Sequence, residues 1–188
     1  MELVSEAIAF AVKAHDGMRR KTSSVPYILH PMEAAVIVGT MTDDQNVIAA
    51  AVLHDVVEDA GITLDEIEAR FGTRVRELVR SETEDKRDHL PPEATWRIRK
   101  AESLEVLRNT QDMGVLMIWL GDKLANMRSF YRDWKVEGDA LWQRFNQKDP
   151  SEQAWYYRSI AALTRPLSHT SAWIEYNTLT ELIFGKGA

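Results

Sequence analysis

Val52-Leu53-His54-Asp55-Val56-Val57-Glu58-Asp59 sets an imidazole beside a carboxylate in an apolar stretch and adds another carboxylate four residues after each. On a helix, positions i and i+4 share a face. His54 and Asp55 then offer two metal ligands, and Glu58 and Asp59 two acid–base groups, all pointing roughly one way. Burying that much negative charge in an apolar helix is costly unless a cation compensates it. A bound divalent metal meets that requirement.

The surrounding pattern is helical almost throughout. Leu3, Ala7, Ile8, Ala11 and Val12 form one stripe and predict a first helix ending near His15-Asp16-Gly17. Residues 19–25 are polar and non-periodic, which predicts a loop. Pro31 suits the first turn of a helix running to about Thr40. Asp43 or Asp44 can cap the next helix, which carries Val47, Ile48, Ala51, Val52 and the His54 cluster and stops at Gly61. Thr63-Leu64-Asp65-Glu66 reads as a capping box opening a short helix to Phe71-Gly72. A further helix is expected from Thr73 to about Lys86. Pro91-Pro92 starts a long amphipathic helix through Trp96 and Leu107. The dense apolar run from Val115 to Leu124 reads as helix rather than strand, because Leu116, Leu120, Leu124 and Met127 continue one face beyond strand length. Segments 141–145, 155–167 and 171–184 complete an all-α single domain of about nine or ten helices over residues 1–188.

Composition narrows the chemistry. The 188 residues suit one domain with a substantial core. Cysteine is absent, which excludes disulfides, thiolate zinc sites and cysteine nucleophiles. Any metal is therefore held by nitrogen and oxygen. A net charge of −6, from 23 basic and 29 acidic residues, argues against duplex nucleic acid as a partner but leaves room for an anionic small molecule. No apolar run approaches membrane-spanning length, and the first six residues lack a basic signal-peptide start. A cytoplasmic protein without a membrane partner is the expectation.

Two other segments join the central cluster. Pro26-Tyr27-Ile28-Leu29-His30-Pro31 puts a histidine just before a helix start, and Gly121-Asp122-Lys123-Leu124-Ala125-Asn126-Met127 puts a carboxylate inside the most apolar helix. Taken alone, His30 reads as a helix-entry hydrogen bonder and Asp122 as a buried acid paired with Lys123 or an arginine. Beside His54-Asp55 they complete two imidazoles and two carboxylates. Such a sulfur-free mixed set suits Mn²⁺, Fe²⁺ or Zn²⁺ and disfavours an all-oxygen calcium site.

These stretches, together with Arg20-Lys21-Thr22, Ile62-Thr63-Leu64, Phe71-Gly72 and Arg128-Ser129, resemble the hydrolase domain of RelA/SpoT-type alarmone enzymes, a helical fold of the HD superfamily. The motifs occur in family order across residues 15–130. At 188 residues, without a synthetase domain, the chain is most similar to the stand-alone small alarmone hydrolases. The resemblance implies a single Mn²⁺ held by His30, His54, Asp55 and Asp122. It implies hydrolysis of the 3′-pyrophosphate of ppGpp and pppGpp, giving GDP or GTP and pyrophosphate. Glu58 and Asp59 would orient or deprotonate the attacking water. Arg20 would stack on the purine of this guanine-nucleotide alarmone, Lys21 would meet phosphate, and Thr22, Asn126 and Ser129 would complete the nucleotide contacts. The loop from Arg20 to His30 is about one residue longer than the common family form, which leaves an adenine analogue open as substrate. Ala125 stands where the larger enzymes often carry histidine.

Two rival functions share the metal set. An HD nucleotidase would cut 5′-phosphates from ordinary nucleotides, yet it is not expected to carry the Arg20-Lys21 loop or the Asp122-to-Met127 signature. A non-catalytic nucleotide sensor is disfavoured because all four ligands and both acids are present. Elsewhere, His15 reads equally as a substrate contact or as a helix C-terminal histidine. The run from Glu82 to His89 reads mainly as solvated charge, with Lys86 or Arg87 as a lesser candidate for phosphate. An exposed Trp134 or Trp142 would mark a self-association face, and Arg128 reads as a phosphate binder or a structural ion-pair partner.

Overall fold

The computed structural model describes residues 2–20, 24–87 and 89–185, and in them the chain is all-α. Ten α-helices follow in order: α1 (Leu3–Ala14), α2 (Leu29–Gly39), α3 (Gln45–Leu53), α4 (Val56–Ala60), α5 (Leu64–Phe71), α6 (Thr73–Glu82), α7 (Pro92–Asn109), α8 (Met113–Glu137), α9 (Pro150–Leu163) and α10 (Ser171–Phe184). Short 3-10 helices cover Gly138–Arg144 and Arg165–Leu167. No helix among the described residues is long and apolar enough to cross a membrane.

The helix starts follow local chemistry. Asp44, Asp112, Asp149 and Thr170 each accept a backbone N–H of their first turn, as N-caps do. Thr63 and Glu66 form the expected reciprocal capping box. The central element is α8, whose 25 residues span about 37 Å at 1.5 Å per residue. It is the apolar run over which a strand was the rival reading. Helix α2 lies along one side of α8 and α10 along another, while α3 packs between α1, α2 and α6. The buried side chains, including Trp119, Leu120, Leu124 and Met127 of α8 and Leu53 of α3, form one continuous core.

Helix α9 runs Pro150–Leu163 where 155–167 was expected, the expected segment 141–145 falls mostly in the 3-10 helix Gly138–Arg144, and three further boundaries differ for a local reason. Helix α6 ends at Glu82 rather than near Lys86, because Glu84 and Lys86 turn back to pair with other parts of the site. Helix α2 begins at Leu29, so His30 sits within its first turn and Pro31 one residue deeper. The helix expected to run through the His54 cluster is interrupted: α3 stops at Leu53, and α4 restarts after Asp55. His54 Nδ1 lies 2.8 Å from the Ala51 carbonyl, the acceptor that a continuing helix would offer to the Asp55 N–H. A side chain thus competes with the backbone ladder and the helix breaks. Asp59 N still bonds Asp55 O at 2.9 Å, which keeps those two residues one turn apart.

The contact of α2 with α8 is unusually close at Gly121. A methyl group there would lie 2.7 Å from Val38 Cγ2 and 2.9 Å from the Ala34 carbonyl oxygen. A backbone oxygen cannot swing aside as a long side chain would. Gly121→Ala should therefore separate the two helices, lower stability by about 1–3 kcal/mol as overpacking does, and weaken divalent-metal binding in parallel. Urea denaturation and metal titration check this. Wild-type values in both would show that α2 slides without cost.

Candidate metal centre

His30 comes from the first turn of α2, His54 and Asp55 from the α3–α4 break, and Asp122 from the middle of α8. The structure brings all four together. His30 Nε2 lies 2.9 Å from Asp122 Oδ1 and 3.6 Å from Asp55 Oδ2. His54 Nε2 lies 3.0 Å from Asp55 Oδ2 and 3.7 Å from Asp122 Oδ1. Ligand bonds of about 2.1 Å put neighbouring donor atoms roughly 3 Å apart around one ion, so these spacings fit a shared cation. His30, His54 and Asp122 are buried, and their donor atoms fall within 4.8 Å of one another.

The hydrogen bonding is set for the same purpose. His54 Nδ1 faces a carbonyl and therefore carries the proton, which leaves the Nε2 lone pair for a metal. Buried Nε2 is close to Asp55 yet in no aligned hydrogen bond. Burial opposes charge on His54, but Asp55 and Asp122 outweigh it and hold its pKa well above the ordinary value. Burial would likewise push Asp122 up, and Lys123 with the two imidazoles holds it well below the carboxylate range. The cluster thus draws positive charge strongly, and a divalent cation fits it.

Around this floor opens a cleft of about 530 Å³. Glu58 and Asp59 line it on α4 and Arg20 at its rim. Burial, then the neighbouring Asp55 and Glu84 charges, raise the Glu58 pKa above the ordinary carboxylate value. Asn126 donates to Asp122 Oδ1 at 2.8 Å and accepts from Arg20 at 3.0 Å, so it links the rim to the cluster. An isolated antiparallel bridge pairs Arg19 with Pro26, and the Arg20 N–H bonds the Val25 carbonyl at 3.1 Å, which holds Arg20 in place. Lys21 and Thr22 lie outside the described residues. Ser129, one turn beyond Asn126, is half-buried and does not line the cleft.

Several participants were not singled out by sequence reading, and Lys86 was named there only as a lesser candidate for phosphate. The Tyr27 hydroxyl is within hydrogen-bonding distance of Asp55 Oδ2 (2.7 Å) and Asp59 Oδ2 (2.8 Å). Its burial and the two carboxylates push its pKa far above the phenol range, so it stays a donor. The run from Glu82 to Lys86, read mainly as solvated charge, is folded into the cleft. Lys86 Nζ lies 2.5 Å from Asp59 Oδ1, and Glu84 is ringed by Arg99 at 2.9 Å, Lys100 at 2.6 Å and Ser103 at 2.9 Å. Arg87 instead pairs with Glu102. Arg99, Lys100, Tyr156 and Tyr157 also line the cleft, delivered by α7 and α9 from far along the chain. His15 is buried against the Tyr27 ring, Trp142 is buried, and Arg128 forms a two-pronged ion pair with Glu175.

The HD domain family matches residues 7–150, which include all four clustered residues and the acid pair. The chain belongs to the HD domain family. Among its relatives, the guanosine-3′,5′-bis(diphosphate) 3′-pyrophosphohydrolase of Vibrio cholerae is 37% identical over 134 residues, covering 69% of this chain and 18% of that protein. The protein of the same description from Aquifex aeolicus is 34% identical over 130 residues, with 69% and 18% covered. The chain thus spans about a fifth of the length of these curated relatives. A solved structure from Listeria monocytogenes superposes with a TM-score of 0.73 at 32% identity, over 84% of this chain and 99% of that one. A metazoan ortholog of SpoT, described as hydrolysing ppGpp, shares the fold with a TM-score of 0.76 at 24% identity, over 99% and 98% of the two chains.

Glu82 adds a pH signature. Its side chain is buried with Oε1 unpartnered, and burial raises its pKa from 4.5 to about 8 in spite of Lys123 nearby. A carboxyl whose folded pKa is raised stabilises fully below its unfolded pKa and loses that contribution as pH rises through the folded one. Glu82→Gln should therefore gain stability over the wild type progressively from pH 5 to pH 8, by several degrees of Tm, as thermal melts at intervals of pH would record. A constant difference across that window would mean that Glu82 stays ionised in the folded chain.

Proposed function

We propose that this chain, as a single domain over residues 1–188, hydrolyses the 3′-pyrophosphate of ppGpp and pppGpp to give GDP or GTP and pyrophosphate. The carrying observation is the convergence of His30, His54, Asp55 and Asp122 on the floor of a cleft that also holds Glu58, Asp59 and Arg20. The relatives named for that reaction share the family, and their names supply the substrate class. The four clustered residues would hold one divalent ion, and their nitrogen and oxygen donors suit Mn²⁺. An ion held there supplies Lewis acidity to a phosphoryl oxygen and acidifies water. A nucleotide substrate and the absence of cysteine fit a cytoplasmic enzyme.

The chain's own groups account for the remaining steps. Glu58, with its raised pKa, accepts a proton from the attacking water. Asp59 orients that water. The water oxygen bonds to the phosphorus attached at the ribose 3′ oxygen. That P–O bond breaks, and the 3′ oxygen leaves as a hydroxyl with a proton taken from solvent, while Glu58 returns its proton to solvent. Arg20, on the far side of Asn126 from Asp122, presents a planar guanidinium to the purine, with Lys21 and Thr22 as further nucleotide contacts, while Ser129, which does not line the cleft, takes no part.

Incubation with Mn²⁺ and a panel of nucleotides should yield GDP and intact pyrophosphate from ppGpp. Orthophosphate released from GTP or dGMP at rival rates would replace this reading with a nucleotidase. Glu58→Gln and Asp59→Asn should each lower kcat on the order of 10² or more with metal content unchanged by elemental analysis. Loss of metal in both would make them ligands instead. Arg20→Ala should chiefly raise KM, because stacking is present in ground and transition states alike.

A further inference from the structure

We infer that Tyr27 is a positioning residue that acts through Asp59, a role that rests on the reading of Glu58 and Asp59 as the acid–base pair. Its hydroxyl is shared between Asp55 Oδ2 at 2.7 Å and Asp59 Oδ2 at 2.8 Å, and so ties a member of the metal cluster to a member of the acid pair. A phenol has one proton for these two acceptors. The hydroxyl therefore donates to one carboxylate oxygen at a time, with both acceptors within its reach.

The tyrosine itself has little freedom. Its backbone N–H bonds the Met18 carbonyl at 2.9 Å, and its own carbonyl accepts from His30 N at 2.9 Å. Its ring packs against the His15 ring at 5.0 Å and the His30 ring at 5.9 Å, with the Arg20 guanidinium 5.9 Å from its centroid. The backbone pairing of residues 18–20 with residues 25–27 that positions Arg20 therefore also positions this hydroxyl.

Asp59 is held from the other side as well. Lys86 meets its Oδ1 at 2.5 Å and anchors to the Glu58 backbone carbonyl at 2.9 Å. Both oxygens of Asp59 are thus engaged, by donors from two separate segments. Glu58 is held far more loosely, with Glu84 N at 3.4 Å and Lys86 Nζ at 3.6 Å. The two acids therefore have different tasks. Asp59 is a fixed acceptor that sets the direction of the water, Glu58 is the acid free to take a proton, and Tyr27 maintains the difference.

Tyr27→Phe removes only the hydroxyl and keeps the ring packing. It should lower kcat for the alarmone by about 10- to 100-fold, the scale of losing an outer partner of a metal site, with KM within about threefold and the melting temperature nearly unchanged. In an Asp59→Asn background the same change should cost less than about twofold, since the residue through which it acts is already disabled. A second readout needs neither metal nor activity. In protein carrying ζ-¹³C tyrosine, the resonance that Tyr27→Phe removes should shift in Asp59→Asn and stay in place in Glu58→Gln. Wild-type kcat in Tyr27→Phe, or equal losses in the wild-type and Asp59→Asn backgrounds, would overturn the role. Should the wild-type chain hydrolyse no nucleotide, the proposed function fails, and the resonance alone decides for Tyr27: no shift in Asp59→Asn overturns it.

Discussion

The close approach of α2 to α8 at Gly121 is the constraint on which the site depends. His30 sits one turn before Ala34, and Asp122 follows Gly121 directly. With a glycine there, the two helices come near enough for His30 Nε2 to reach Asp122 Oδ1 at 2.9 Å. A side chain at this contact would meet backbone, and the helices would part. Protein interiors are packed densely enough that such a displacement is transmitted to the neighbouring groups. The spacing of the clustered donors is therefore set by packing as much as by the donors themselves.

On that frame lies a concentration of charge that ordinary folding would avoid. Asp55 and Asp122 face each other across two imidazoles, and Glu58, Asp59, Glu82 and Glu84 stand in or beside the same cleft. The chain offsets this negative charge by pairing. Lys86 answers Asp59, Lys123 answers Asp122, and Arg99 and Lys100 answer Glu84. Buried ion pairs of this kind contribute little net stability, because desolvation cancels much of the attraction. Their value here is geometric. They hold the acids in fixed directions relative to the His30–His54–Asp122 cluster.

The interruption between α3 and α4 serves the same end. A continuous helix would have carried His54 and Asp55 past the cleft in a regular spiral. The break gives Asp55 a backbone conformation at the start of α4, where its Oδ2 reaches His54, His30 and Tyr27 together. The local cost is a lost ladder bond, replaced by the His54 Nδ1 bond to the Ala51 carbonyl. That replacement also fixes the imidazole tautomer, so one interaction both ends a helix and orients a donor.

Periodicity and capping chemistry were legible in the sequence because they act over a few neighbouring residues. The Thr63–Glu66 box, the Asp44 cap and the apolar face of α8 needed no tertiary information. The four clustered residues were legible as well, since His and Asp in apolar surroundings require compensation wherever the chain places them. The roles of Tyr27, Glu82, Arg99 and Lys100 were not, and Lys86 stood out only as a lesser candidate for phosphate, not as the partner of Asp59. A tyrosine or a charge run has the same local pattern whether it faces solvent or a cleft. The break at His54 was hidden for a related reason: periodicity continues through it, and only the competition for the Ala51 carbonyl shows it. What the sequence determined by itself was the helical class and the donor set, because both follow from residue type and short-range spacing. What the tertiary structure decided was which polar side chains share the cleft, because segments far apart in the chain, such as residues 20, 86, 99 and 126, meet only once α8 is enclosed.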